Sequence, residues 1–333
     1  MKETLDITAS LLPVFLFLGA LVVFDSYKLV SLRSLMLGIG AGSVAALVAL
    51  VVNGHFLDQW SPLLYTRYIA PMFEELLKAT YVYVVIRSKN VGFMVDAAIV
   101  GFAVGSGFAL IENLAYLHSL EDANLPVWIV RGCGTAVMHG GTTAIAAVLT
   151  KSLSDLRDSD HPFILLPGLG AAIIIHSFFN HFILPPVPAT LLTIVVLPGL
   201  LFVVFERSEE RTRKWLGVGF DNDADLLTMI ITGNIAETRL GQYLASIQHR
   251  FRGEVLADML CYLRIYLELA IQAKGILLMR ESGFDVSPDP AVSAKFDELR
   301  YLEKSIGKTG LVAISPFLRT SRRDLWQLHM LQE

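Results

Sequence analysis

Charge is scarce in this sequence. Asp, Glu, Lys and Arg make up 17% of its 333 residues, against 54% hydrophobic, and so little polar surface excludes an ordinary soluble globule. A basic excess is missing as well. With a formal net charge of -4 the chain has no positive face to neutralise phosphates, which excludes nucleic-acid binding. Cysteine is rare: Cys133 and Cys261 fall in segments of very different character, which excludes a disulfide framework and reads as two buried thiols. The apolar run at the amino terminus lacks a small-residue cleavage site and reads as an uncleaved first span. There is no HExxH zinc helix and no GxSxG nucleophile elbow, so two common hydrolase mechanisms drop out. Internal repeats and low-complexity tracts are absent too.

What is present is apolar, with a mean hydropathy of +0.56. A membrane helix needs about 20 mostly apolar residues, and about seven windows qualify: near 8 to 25, 34 to 53, 63 to 86, 92 to 117, 127 to 150, 162 to 184 and 188 to 205. Prolines 62, 126, 162, 185, 186 and 188 punctuate them, where a missing N–H costs least. Basic residues follow every second window: Lys28 and Arg33, Arg87 and Lys89, Lys151 and Arg157, then Arg207, Arg211, Arg213 and Lys214. The loops between carry almost none, so the amino terminus is expected outside the cell and the carboxyl-terminal region in the cytosol. Past Arg207 the composition changes. "EVLADMLCYLRIYLELAIQAKGILLM" has helical spacing, but Arg264, Glu268 and Lys274 interrupt it, which marks a core helix rather than an eighth span. The expected organisation is an all-α polytopic membrane protein, with a transmembrane core over 1–206 and a soluble helical cytosolic domain over 207–333. That domain shows no metal, phosphate or nucleophile motif and reads as a docking, regulatory or self-association module.

An ionisable side chain inside a bilayer costs several kcal/mol unless it meets a partner or water, so each one marks a candidate site. The third window carries Glu74, Glu75 and Lys78; the fourth Glu112 and Asn113; the fifth Arg131 and His139; the sixth His176, Asn180 and His181. At about 1.5 Å per residue the expected topology places Glu74, Glu112, His139 and His176 roughly 8 to 18 Å below the outer surface, in one layer. Glu74 and Lys78 share a helix face, as do His176 and Asn180, whereas Glu74 and Glu75 point about 100 degrees apart. His181, near the interface, reads as solvated; Arg131 can snorkel or clamp a carboxylate.

Two histidines and a carboxylate hold zinc while leaving a position for water, and a further glutamate can act as general base. Glu112, His139 and His176 are the candidate ligands for zinc, and Glu74, Glu75, His176 and Asn180 the candidate catalytic residues. A metal-free site in which glutamate and histidine activate water beside an amide donor is equally compatible. So, from the residues alone, is a proton- or ion-coupled transporter or sensor, although the paired, broken segments that transporters often show are not found.

"EELLK", "FALIE" and "HSFFN", in that order across three windows, resemble the EExxK, FxxxE and HxxxD/N motifs of the PrsW family of intramembrane proteases, relatives of the CAAX prenyl endopeptidases. The resemblance covers roughly residues 60 to 185. It implies a helical membrane protease that cuts a membrane-anchored, anti-sigma-factor-like protein on its extracytoplasmic side, with the lipid bilayer as its surroundings. On this match Glu74 and Glu75 are the paired glutamates, Phe108 and Glu112 the second motif, His176 and Asn180 the third, and His139 a further intramembrane histidine. Asn180 stands where an aspartate is common; an amide cannot be a base, so it should bind or orient. The CAAX relatives have histidine at the Glu112 position, which disfavours prenylated substrates.

Overall fold

The computed structural model describes residues 2–120, 124–284, 286–318 and 322–332. Helix accounts for 83% of it and no strand occurs among the described residues, so the class is all-α. In chain order the main helices are α1 (Lys2–Val23), α2 (Leu32–Phe56), α3 (Ala70–Arg87), α4 (Met94–Ser119), α5 (Ala136–Arg157), α6 (Leu165–Asn180), α7 (Pro186–Ile231), α8 (Arg239–Ile247), α9 (Gly253–Glu281), α10 (Val292–Ile314) and α11 (Arg322–Met330). They form two compact units, Met1–Glu209 and Glu210–Glu333.

Among the described residues five stretches are long and apolar enough to cross a membrane: Thr4–Val23, Leu32–Phe56, Met94–Ser119, Pro162–Asn180 and Pro186–Ile231. The third and fifth sequence windows fall short for reasons their residues supply. Helix α3 holds Glu74, Glu75, Lys78 and Arg87, and α5 is diluted by His139, glycines, threonines and Lys151. Both are also irregular at their amino-terminal ends. A π-helical stretch, Tyr65–Ile69, leads into α3, and another, Val130–Thr135, leads into α5. Such wider turns leave the backbone ladder out of register and recur at functional sites.

Helix α4 is the axis of the first unit, buried along most of its length. Its neighbours approach too closely for side chains. A Cβ on Gly42 of α2 would lie 1.8 Å from the Val104 carbonyl oxygen, and one on Gly105 of α4 would lie 2.2 Å from that of His139 in α5. Small residues at these crossings let the backbones touch, and that contact sets α4 and α5 at the depth where their polar side chains meet. Val14 and Leu18 of α1, Phe102 of α4, Ala144 and Val148 of α5, and Leu201 and Phe205 of α7 fill the core around them.

Helix α7 does not stop where its apolar run does. It continues through "ERSEERTRKWLGVGF" to Ile231, because glutamate, arginine and lysine sustain a helix as well as leucine does. In the second unit α9 is the buried element, with Leu263, Leu269, Ala273 and Leu277 fully enclosed; Lys274, also enclosed, is paired with Asp223. The cysteines depart from expectation: Cys133 is half-buried and Cys261 is exposed, because Cys261 occupies the solvent-facing stripe of α9.

Candidate active site

Two glutamates open the site from α3, and the fold sends them to different partners. Glu74 and Glu75 are 5% and 1% exposed. Glu75 Oε1 accepts from Lys78 Nζ at 2.5 Å, one turn on, and lies 2.8 Å from His176 Nδ1 of α6. Glu74 Oε1 accepts from Asn53 Nδ2 of α2 at 3.0 Å, and Asn53 Oδ1 in turn accepts from Tyr65 OH at 2.8 Å. The other oxygen of Glu74 faces His176 Nε2 at 3.9 Å. One glutamate is thus an internal anchor, and the other presents a carboxylate oxygen to the cavity.

The histidines stand edge to face, with ring centroids 4.8 Å apart. With Nδ1 of His176 donating to the Glu75 carboxylate, its Nε2 keeps a free lone pair directed toward Glu74, the outer-shell arrangement common among metal-binding histidines. His139 is held differently. Its Nδ1 lies 3.1 Å from Lys78 Nζ, and since an ammonium only donates, Nδ1 accepts and the ring proton sits on Nε2. That atom faces Glu112 Oε2 at 3.3 Å, yet out of hydrogen-bond alignment, so it is buried without an aligned hydrogen bond.

Glu112 of α4 receives Arg131 Nη2 at 3.0 Å. Arg131 also donates through Nε to Asn113 Oδ1 at 3.0 Å, Asn113 donates to the Ser10 carbonyl at 2.7 Å, and the guanidinium lies 3.6 Å from the centre of the Tyr116 ring. Arg131, which lies in the π-helical turn before α5, therefore clamps a carboxylate rather than snorkelling. Asn180 donates to the Thr66 carbonyl at 2.9 Å and so ties α6 to the turn ahead of α3. His181 is not simply solvated: its Nε2 lies 2.9 Å from Tyr68 OH and its Nδ1 2.6 Å from the Ser177 carbonyl.

Glu74, Glu112, His139 and His176 line one cavity of about 520 Å³, together with Asn53, Tyr65, Arg131 and Asn180. The four helices that carry them meet there as the spacing of the sequence anticipates, and α2 joins them through Asn53. Asn53 and Tyr65 do not stand out in the sequence, because each sits at an end of an apolar window where polar residues are unremarked; only the fold shows that they hold Glu74. Glu74, His139 and His176 place ligand atoms within 4.8 Å of one another, the one such group among the described residues. This set fits a metal on two further counts: it has the two-imidazole, one-carboxylate chemistry of an open zinc site, and it contains the orphaned Nε2 of His139. For that atom to ligate, its proton must move to Nδ1, leaving Lys78 bonded to Glu75 alone. Glu112, grouped with the ligands in the sequence reading, lies beside His139 in the grip of Arg131, while Glu74 completes the close trio.

A family model described as PrsW family intramembrane metalloprotease matches residues 28–205. No curated protein and no solved structure matches the chain.

Proposed function

The chain belongs to the PrsW family of intramembrane metalloproteases, and we propose that it hydrolyses a peptide bond of a membrane-anchored, anti-sigma-factor-like protein within the outer half of the bilayer. On this reading α3 and α5, each with its preceding π-helical turn, cross the membrane beside the five apolar spans, giving seven in all. The amino terminus is then extracytoplasmic, and residues 207–333 form a cytosolic domain available for docking or self-association. The observation that carries the proposal is the convergence of two cavity-facing carboxylates and two buried imidazoles from four helices on one cavity, an arrangement too costly in a membrane to persist without use.

Glu74, His139 and His176 are the proposed metal ligands, and zinc is the metal their chemistry favours. Bound there, zinc would act as a Lewis acid on water or on the scissile carbonyl. The remaining steps fall to side chains. Glu112 takes the proton of the attacking water and passes it to the leaving amine, held in place by Arg131 across 3.0 Å. Glu75 fixes the tautomer and orientation of His176 through the 2.8 Å bond to Nδ1. Lys78 neutralises Glu75 so that it does not compete for the proton. Asn180 and Asn53 orient: the first sets α6 against the turn before α3, the second steers Glu74.

Metal analysis of the purified full-length protein beside a cleavage assay tests this division of labour. Wild type should carry about one zinc per chain, as an open site of three protein ligands holds. Glu74→Gln and His176→Ala should lose both metal and cleavage. Glu112→Gln should keep the metal and lose cleavage by about 10²- to 10⁴-fold, the usual contribution of a general base. If Glu112→Gln sheds the metal while Glu74→Gln retains it, the two carboxylates exchange roles. A wild type with neither metal nor cleavage would turn the assignment toward a transporter or sensor.

A further inference from the structure

A second cavity, apolar and of about 190 Å³, adjoins the first. It lies between α6, the start of α7 and Met138 of α5, walled by Ile175, Phe178, Leu192 and Val196 among others. Its single hydroxyl-bearing residue, Thr193, is committed to the Ala189 carbonyl at 2.9 Å, so nothing in it seeks a polar ligand. Phe179 and Phe182 belong to both cavities and form the partition between the polar site and the apolar one.

Phe182 is held in an unusual way. Its φ is +50°, left-handed backbone that a bulky aromatic adopts at a cost and keeps only where the surroundings over-determine it. Those surroundings are present. Ser177 Oγ donates to the Arg67 carbonyl at 2.5 Å, Asn180 donates to the Thr66 carbonyl, and the His181 ring is bonded to Tyr68 OH. The turn before α3 thus pins the end of α6, and the chain leaves it with Phe182 set across the boundary. Phe182 is 66% exposed, so no core packing accounts for its position.

We infer that the apolar cavity is the subsite for one bulky apolar side chain of the substrate, next to the scissile bond, and that Phe182 is its specificity-determining wall. The inference rests on the protease reading of the neighbouring site. An apolar cavity of about 150 Å³ admits benzene, so this one takes a side chain the size of phenylalanine or leucine. Entry from the bilayer is natural, because Phe178, Phe182 and Ile183 on its rim face outward, and the residues around a scissile bond inside a membrane are themselves apolar.

The test uses the full-length protein and transmembrane peptides that differ in one residue flanking the cleavage point, with Phe, Leu, Ala or Gly there. Two variants fill the cavity from successive turns of α7, Ala189→Leu and Thr193→Leu, and Phe182→Ala removes the wall. Wild type should prefer Phe and Leu. Each filling variant should lower the ratio of kcat/KM for Phe over Ala at least about tenfold, the lower end of what one pocket methylene discriminates, and Phe182→Ala should raise the ratio for the larger side chains. Cleavage whose side-chain preference is the same in wild type and in both filling variants overturns the subsite alone, including the case where the variants change only the lipid that co-purifies. A wild type that cuts none of the peptides overturns the protease reading, and the subsite with it.

Discussion

Lys78 decides which glutamate is which. By spacing alone it serves Glu74, four residues back, as well as Glu75, three residues back. The fold settles the matter at 2.5 Å in favour of Glu75, because Asn53 of α2 takes Glu74 while His139 and His176 crowd the Glu75 side. Sequence shows that the three charges share one helix, but their partners sit on α2, α5 and α6 and are brought in only by tertiary packing. The Lys78–Glu75 pair is fully enclosed, and breaking such a pair from one side leaves an uncompensated buried charge at a cost of about 3–5 kcal/mol. Lys78→Met should therefore destabilise the protein by about that much in a denaturant titration in mixed micelles. The double variant Lys78→Met with Glu75→Gln should recover most of the loss, since the glutamine oxygen still accepts from His176. A double variant as unstable as the single one would mean that Lys78 acts through His139 instead.

At the scale of elements, apolar length and proline punctuation are legible in the sequence, and irregularity is not. The π-helical turns Tyr65–Ile69 and Val130–Thr135 keep the helical hydrophobic pattern, so nothing in composition announces them. Yet each carries a residue that lines the cavity, Tyr65 in the first and Arg131 in the second. The turn between α1 and α2 has a different hidden feature. Asp25 lies just beyond the apolar span and is 6% exposed. Burial raises its pKa from 3.8 to about 6, against the pull of the Leu29, Val30 and Tyr27 backbone N–H groups and with a further push from Glu209. A raised carboxyl pKa means that the folded state holds this proton more tightly than the unfolded chain does. The stability it contributes is present below about pH 4 and is lost as pH rises to about 6. Asp25→Asn should accordingly gain on wild type between pH 4 and pH 7.5 by up to about 3 kcal/mol, for a shift of about two units. Unfolding midpoints at the two pH values check it, and a gap between the proteins that does not change with pH would remove Asp25 as the cause.

For the whole molecule, the family match ends at residue 205 and the first compact unit at Glu209, so the second unit lies beyond what kinship explains. Its helical nature is readable from the spacing in α9, whereas the unbroken run of α7 into it is hidden by the change of composition at Arg207. The orientation of the chain links this unit to the chemistry. The proposed placement of Glu74, His139 and His176 in the outer half of the bilayer rests on the alternation of basic loops, and the same alternation would place Glu210–Glu333 in the cytosol. Exposed Cys261 of α9 reports on it directly, once half-buried Cys133 is replaced by alanine. In right-side-out vesicles a membrane-impermeant maleimide should leave Cys261 unmodified until the membrane is opened, and then label it fully. Labelling of closed vesicles would invert the topology. The cavity would then lie in the cytosolic half, and the substrate would have to be cut on that side, because the close α2–α4 and α4–α5 crossings at Gly42 and Gly105 and the bonds of Glu74 to Asn53 and of His176 to Glu75 carry the site residues with their helices.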